Sequence, residues 1–151
     1  MTSNDTISRF NSELPYNEAV SVRFRDTDQQ GHLYFANYLV YADEVAMGCL
    51  ESLGFHAMDF DRAPCFIFTV NINCDYMADI RADEQVRVFV GYKELGRSSA
   101  VLAYESYNEA TGVQLSKGTI TQVFVSKASR RATRIPTGLR QAICAKQPEL
   151  V

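Results

Sequence analysis

The stretch "DTDQQGH" sets Asp26, Asp28 and His32 within seven residues, and His32 is one of only two histidines in the chain. An ionised carboxylate can attack an electrophilic carbon or take a proton from water, and imidazole exchanges protons near neutral pH. The same residue types also have a purely structural use. Asp side chains in Asp-x-Asp turns accept backbone N–H bonds, and a histidine beside a turn glycine such as Gly31 can simply hold a loop. The elements on either side of the stretch bear on the choice.

Upstream, Val20, Val22 and Phe24 alternate with Ser21, Arg23 and Arg25, which predicts a strand over Tyr16–Thr27. Downstream, Tyr38, Leu39, Ala42, Val45, Ala46, Cys49, Leu50 and Leu53 recur at helical spacing. Asn37 is the expected N-cap, and Gly54 before Phe55 the expected left-handed stop. Gly48 inside the helix costs about 1 kcal/mol relative to alanine, which predicts another backbone passing close by. The acidic residues thus lie where a strand hands over to a helix. A helix start presents unpaired N–H groups and a positive dipole end. A carboxylate facing that end is either a cap or half of an acyl-transfer site, whose other half is a carbonyl-polarising N–H.

From residue 65 the period changes to two. "CFIFTVNINCDYM", "QVRVFVGYKEL", "SAVLAYESYNE" and "VQLSKGTITQVFVSK" read as strands, with "LGRSS" and "NEATG" as hairpin-like breaks. Pro136 is the expected first residue of a short terminal helix. One long helix against about five antiparallel strands is an α+β arrangement, and the sheet it leaves partly uncovered invites a second copy. The expected layout is a flexible N-terminal arm over residues 1–15, one domain over 16–145 and a C-terminal tail over 146–151.

Composition narrows the function. Hydrophobic residues at 46% and charged residues at 22% fit a globular protein, and a net charge of −3 offers no basic footprint for nucleic acid. No apolar run is long enough to span a bilayer, and the first fifteen residues hold no signal-like apolar segment, so a cytoplasmic location is expected. Cys49, Cys65, Cys74 and Cys144 form no CxxC pair, so they read as reduced fillers and no metal is expected.

"VRFRDTDQQGHLYFANYLVYADE" resembles the signature of the 4-hydroxybenzoyl-CoA thioesterase family of hotdog-fold enzymes, in which D-x-D-x-x-G precedes the long helix. The tail "RRATRIPTGLRQAI" is similar to that family's basic-then-proline ending. The resemblance implies a hotdog fold and hydrolysis of acyl-CoA to a free acid and CoA. It implies Asp28 as nucleophile or general base, and the backbone N–H of Phe35 on the thioester carbonyl. His32 joins the site, and Asp43 has a structural or CoA-side role. Phe24 and Phe35 stand where the branch tied to the bacterial Tol–Pal system carries tyrosine and histidine, so substrate choice is left open.

CoA is substrate rather than cofactor, and its phosphates need local positive charge; Arg97, Lys127, Arg130 and Arg131 are the candidates, with Arg134 beside them. Tyr34, Phe35, Phe55, Phe66 and Phe68 are candidates for an acyl pocket. An acyl carrier protein thioester is an alternative substrate, and a homodimer or homotetramer is the expected assembly. Two rival readings are an enoyl-CoA hydratase or dehydratase of the same fold and a non-catalytic acyl-CoA sensing domain.

Overall fold

The structure is a computed structural model that describes residues 9–150. Strand β1 (Tyr16–Ser21) is followed by a 3-10 turn at Phe24–Asp26 and by helix α1 (Phe35–Ser52). Then come β2 (Phe66–Ile72), β3 (Asp75–Tyr76), β4 (Gln85–Leu95), β5 (Ser99–Asn108), β6 (Gln114–Val125) and helix α2 (Thr137–Lys146). The strands form one antiparallel sheet in the order β1-β4-β5-β6-β2, with β3 pairing β6 beyond β2. β1 and β2 are therefore the outer strands of that path.

α1 lays Tyr38, Tyr41, Ala42, Val45, Ala46, Cys49 and Leu50 on the sheet. They meet Val86, Val88, Val90, Leu102, Tyr104, Ile120 and Phe124, all nearly fully buried. The alternation that marked β4 to β6 in the sequence is the alternation between this face and the opposite one.

Several expectations need correction. α1 begins at Phe35 with Tyr34 at the N-cap, not at Asn37, and no side chain caps it. Asn37 instead donates its side-chain amide to the Asp26 carbonyl at 2.9 Å. The first strand stops at Ser21, because the chain turns through the 3-10 segment before reaching Asp28. "CFIFTVNINCDYM" divides into β2 and a two-residue β3, with a register shift between Thr69 and Asn71. Gly48 is crowded by side chains rather than by a crossing backbone. A Cβ there would lie 2.0 Å from the Glu18 carboxylate and 3.0 Å from the Tyr16 hydroxyl. Pro136 stands at the N-cap of α2, one position before the first helical residue.

Of the arm expected over residues 1–15, residues 1–8 lie outside the described residues. The remainder is docked: Phe10 is buried against Phe89 and Tyr107, and the Tyr107 hydroxyl donates to the Asn11 carbonyl at 2.8 Å. The segment after α2 is tied down as well. The buried Gln147 amide exchanges two 2.8 Å bonds with the backbone of Tyr92, two residues past the last β1 pairing at Val90.

Candidate active site

The loop between the 3-10 turn and α1 is a tight hairpin. The Gly31 N–H donates to the Asp28 carbonyl at 3.0 Å, and the Asp28 N–H donates to the His32 carbonyl at 2.9 Å. Gly31 has φ +80°, a conformation that glycine adopts without Cβ strain. Thr27 and Leu33 pair across the base of this hairpin. Asp28 and His32 therefore stand opposite each other, and opposed residues project their side chains from the same face.

Asp26 and Asp28 have different surroundings. The Asp26 carboxylate accepts the Tyr41 hydroxyl at 2.7 Å, and its carbonyl accepts the Tyr34 N–H at 2.9 Å as well as the Asn37 amide. Asp26 thus fastens the 3-10 turn to the first turns of α1, and burial together with this bond pushes the Tyr41 phenol far up. Asp28 is exposed. Its Oδ1 accepts the N–H of Gln30 at 2.9 Å and of His32 at 3.4 Å, so loop amides orient the carboxylate while it faces solvent.

β3 and the segment that follows it brace the other side of the helix start. The Tyr76 hydroxyl donates to the Phe35 carbonyl at 2.8 Å, the Tyr38 hydroxyl to the Ala78 carbonyl at 3.2 Å, and the Leu33 N–H to the Ile80 carbonyl at 2.8 Å. Asp79 reaches His32, with 3.0 Å between carboxylate and Nε2. Burial and the nearby Asp79 and Asp28 charges push the Tyr38 phenol up to about 12. Tyr38, Tyr76 and Asp79 are the residues that sequence reading missed. They lie within apolar or irregular stretches, and only the packing of 74–80 on α1 gives them a role here.

Phe35, 59% exposed, and Tyr34, 43% exposed, sit side by side at the helix start with ring centres 4.5 Å apart. The Phe35 N–H belongs to the first helical turn, whose donors have no acceptor within the helix. Asp43 lies further along α1. It lines an open groove of about 880 Å³ between α1 and β1, with Glu18, Asp26, Glu44 and Glu51.

The structure divides the other candidates. Phe55, Phe66 and Phe68 line an apolar pocket of about 230 Å³ with Met47, Met58 and Cys65, whereas Tyr34 and Phe35 lie apart from it. Lys127 and Arg130 stand over this pocket's rim, Lys127 on Phe60 at 4.9 Å and Arg130 on Phe66 at 5.1 Å. Arg131 is exposed in the same turn, where its carbonyl accepts the Ser126 N–H at 2.8 Å. Arg97 lies elsewhere, in a cleft of about 550 Å³ with Arg134 and Arg140.

The register of the sheet shows that these groups lie at opposite ends. Phe66 pairs with Val125, just before Lys127 and Arg130, whereas Ile72 pairs with Ile120 and Asp75 with Lys117. The latter end carries Tyr76, which touches Phe35. Asp28 and the Lys127–Arg131 group are therefore separated by the length of β2 within one copy.

All four cysteines are free. Among the described residues no group of three His, Cys, Asp or Glu side chains is placed to hold a metal, and no helix is long and apolar enough to cross a membrane.

Comparison with known proteins places the chain. The sequence profile of the Thioesterase-like superfamily matches residues 22–143. A putative acyl-CoA thioesterase of Bacillus subtilis, YneP, is 29% identical over 110 residues, 73% of this chain and 79% of its own. YsmA, an uncharacterised protein of the same organism, is 30% identical over 113 residues, 75% of this chain and 74% of its own. Among solved structures, a thioesterase of Thermus thermophilus complexed with coenzyme A and zinc superposes with a TM-score of 0.79 at 24% identity. That match covers 91% of this chain and 98% of the other. A match that begins just after β1 and ends within α2 means that the chain belongs to the thioesterase-like superfamily, the hotdog-fold hydrolases of acyl thioesters.

Proposed function

We propose that this protein hydrolyses acyl-CoA thioesters to a carboxylic acid and free CoA, with Asp28 as the attacking or water-activating carboxylate. The observation that carries the reading is the pairing of an exposed, amide-oriented Asp28 with an uncapped helix start seven residues later. A thioester carbonyl at that helix end would meet the Phe35 N–H. Negative charge developing on its oxygen gains from a preoriented donor, an effect of about 3 kcal/mol in well-studied hydrolases. His32 faces the same side as Asp28 and serves proton movement there. As nucleophile, Asp28 would form a mixed anhydride and release the CoA thiolate. As base, it would take a proton from the attacking water.

The separation of the basic residues from Asp28 fits an assembly. β2 is an outer strand with Phe68 and Val70 exposed, at 42% and 60%. One of its ends carries Lys127 and Arg130, and the other carries Asp28, Asp75 and Asp79. Two copies paired antiparallel through β2 would set the basic end of each against the acidic end of the other. The CoA phosphates of one site would then meet Lys127, Arg130 and Arg131 contributed by the second copy, with the Phe66–Phe68 pocket nearby for the acyl group. Such a homodimer is self-complementary in both charge and apolar surface. Arg97, with Arg134 and Arg140, is the second candidate phosphate site.

The test is thiol release over a panel of aromatic, short aliphatic and long-chain acyl-CoA substrates, with acyl carrier protein thioesters alongside. Turnover of at least one class that is lost in Asp28→Asn is expected. Hydration of an enoyl-CoA without thiol release, or tight acyl-CoA binding without turnover, would overturn the reading. Light scattering should find a dimer or a higher even assembly, and a monomer at micromolar concentration would remove the shared site.

A further inference from the structure

We infer that the free edge of β1, with the groove beside it, is a docking site for an extended cationic segment of a partner protein, which adds to the sheet as one more strand. β1 pairs with β4 on one side and ends the sheet on the other. In an antiparallel pair, successive residues direct their backbone groups alternately toward the neighbouring strand and away from it. The Val22 N–H donates to the Glu84 carbonyl at 2.9 Å, in the register that sets Val20 opposite Val86 and Glu18 opposite Val88. The even-numbered residues therefore face β4, and Asn17, Ala19 and Ser21 turn their N–H and C=O groups outward. Among the described residues nothing pairs with those groups from the outer side. Ala19 and Ser21 are exposed. An open row of this kind is a template for an added strand.

The edge borders the groove of about 880 Å³ between β1 and α1. Four consecutive residues, Glu18 to Ser21, line that groove. Successive side chains of a strand point to opposite faces, so it is the backbone edge, and not one face, that looks into the space. On the far side, Val40, Glu44, Met47 and Glu51 recur at intervals of three and four along one flank of α1. Apolar and acidic residues alternate along this flank. Val40 is 54% exposed, and Met58, which also lines the groove, is 77% exposed.

Charge selects the occupant. Glu18, Asp26, Asp43, Glu44 and Glu51 line the groove against Arg23 and Arg25. Among the described residues none of these five carboxylates is paired to a lysine or arginine. A second copy adding through its own β1 would bring the same five carboxylates to the seam, and like charges oppose that. A segment that alternates Lys or Arg with apolar residues on its α1 side meets the open backbone, the apolar flank and the carboxylates together.

The experiment titrates the 15N-labelled full chain with a synthetic peptide, acetyl-Thr-Lys-Thr-Val-Thr-Lys-Thr-Val-Thr-amide. Saturable shifts are expected at the Ala19 and Ser21 amides and along the α1 flank, with slowed hydrogen exchange at those two amides. The same peptide with Glu in place of Lys, and the Lys peptide N-methylated at every residue, should each bind at least about 10-fold more weakly, as for loss of a charged or backbone hydrogen bond. Ala19→Pro removes an outward N–H and leaves the β4 ladder intact. Glu44→Lys reverses one charge of the flank. Each should weaken binding of the Lys peptide about 10-fold, with a melting temperature near that of the parent.

Absence of saturable binding, equal binding of the Glu peptide, or shifts centred on β2 would overturn the inference. So would self-association without peptide that protects the Ala19 and Ser21 amides, because the occupant would then be a second copy. If Ala19→Pro does not fold, Glu44→Lys and the N-methylated peptide decide the outcome.

Discussion

Asp26 and Asp28 stand two residues apart and do opposite things. Asp26 spends its acceptors inside the protein, on Tyr41, Tyr34 and Asn37, and the result is a fixed angle between the 3-10 turn and α1. Asp28 takes bonds only from the amides of its own hairpin, and it remains exposed. The contrast teaches that a carboxylate's use is set by what saturates it. A group satisfied by distant side chains is a fastener. A group oriented by its own loop and open to solvent is available for chemistry.

The sharpest way to break this comparison is Asp28→Asn. Turnover should fall on the order of 10²-fold or more, as expected for loss of a nucleophile or general base, while the melting temperature stays near that of the parent. A folded variant with near-native kcat would reduce Asp28 to a cap. Label from heavy-oxygen water in a single turnover sharpens the result: entry into Asp28 marks the anhydride, and label only in the product acid marks a general base.

Asp26→Ala should show the reverse pattern. It leaves the Tyr41 hydroxyl without its acceptor, a loss of about 1–3 kcal/mol in stability by denaturant titration. Any loss of kcat should be smaller than that of Asp28→Asn. Tyr41→Phe should recover part of the lost stability in the Asp26→Ala background, because both ends of the bond are then absent. Equal effects of the two Asp substitutions on rate would erase the distinction.

The basic residues allow a milder test. Arg130→Ala with Arg131→Ala should raise KM for acyl-CoA about 10-fold, the equivalent of about one charged hydrogen bond, and change kcat little. A pantetheine thioester, lacking the nucleotide, should be unaffected. Arg97→Ala serves as the paired comparison, since Arg97 lies in the separate cleft with Arg134 and Arg140. A larger effect there would assign the phosphates to that cleft instead.

Glu109 extends the contrast to a third carboxylate, one fully committed to ion pairs. It accepts Arg87 at 2.9 and 3.0 Å and Arg9 at 3.1 Å, and the Arg87 bond holds its carboxyl below the usual range against opposing burial. A depressed folded-state value contributes stability at pH above the unfolded value, and that contribution is lost as pH falls through the folded one. Glu109→Gln should therefore be less stable at neutral pH and lose less on acidification toward pH 3. Identical acid profiles for the two proteins would deny the pairing any weight.

What the sequence alone determined follows from how local each signal is. The four-strand pattern after residue 65 and the helix through Leu50 were legible because periods of 2 and 3.6 are written within about ten neighbouring positions. The turn at Gly31 was legible for the same reason, since Gly31 and Asp28 are three residues apart, but its closure as a hairpin was not. The helix start was misplaced by three residues because Asn37 looks like a cap, yet its amide is drawn to the Asp26 carbonyl by the fold. Phe10 lay in a stretch with no period, so nothing local announced that it docks on Phe89 and Tyr107. The brace from Tyr76 and Asp79 needed the tertiary structure entirely. His32 and Asp79 are 47 positions apart, and only the pairing of Leu33 with Ile80 and His32 with Arg81 brings carboxylate and imidazole to 3.0 Å. Residue types near the loop named the chemistry. The register between two distant segments decided which groups could take part in it, because contact at hydrogen-bond distance is a property of packing and not of spacing along the chain.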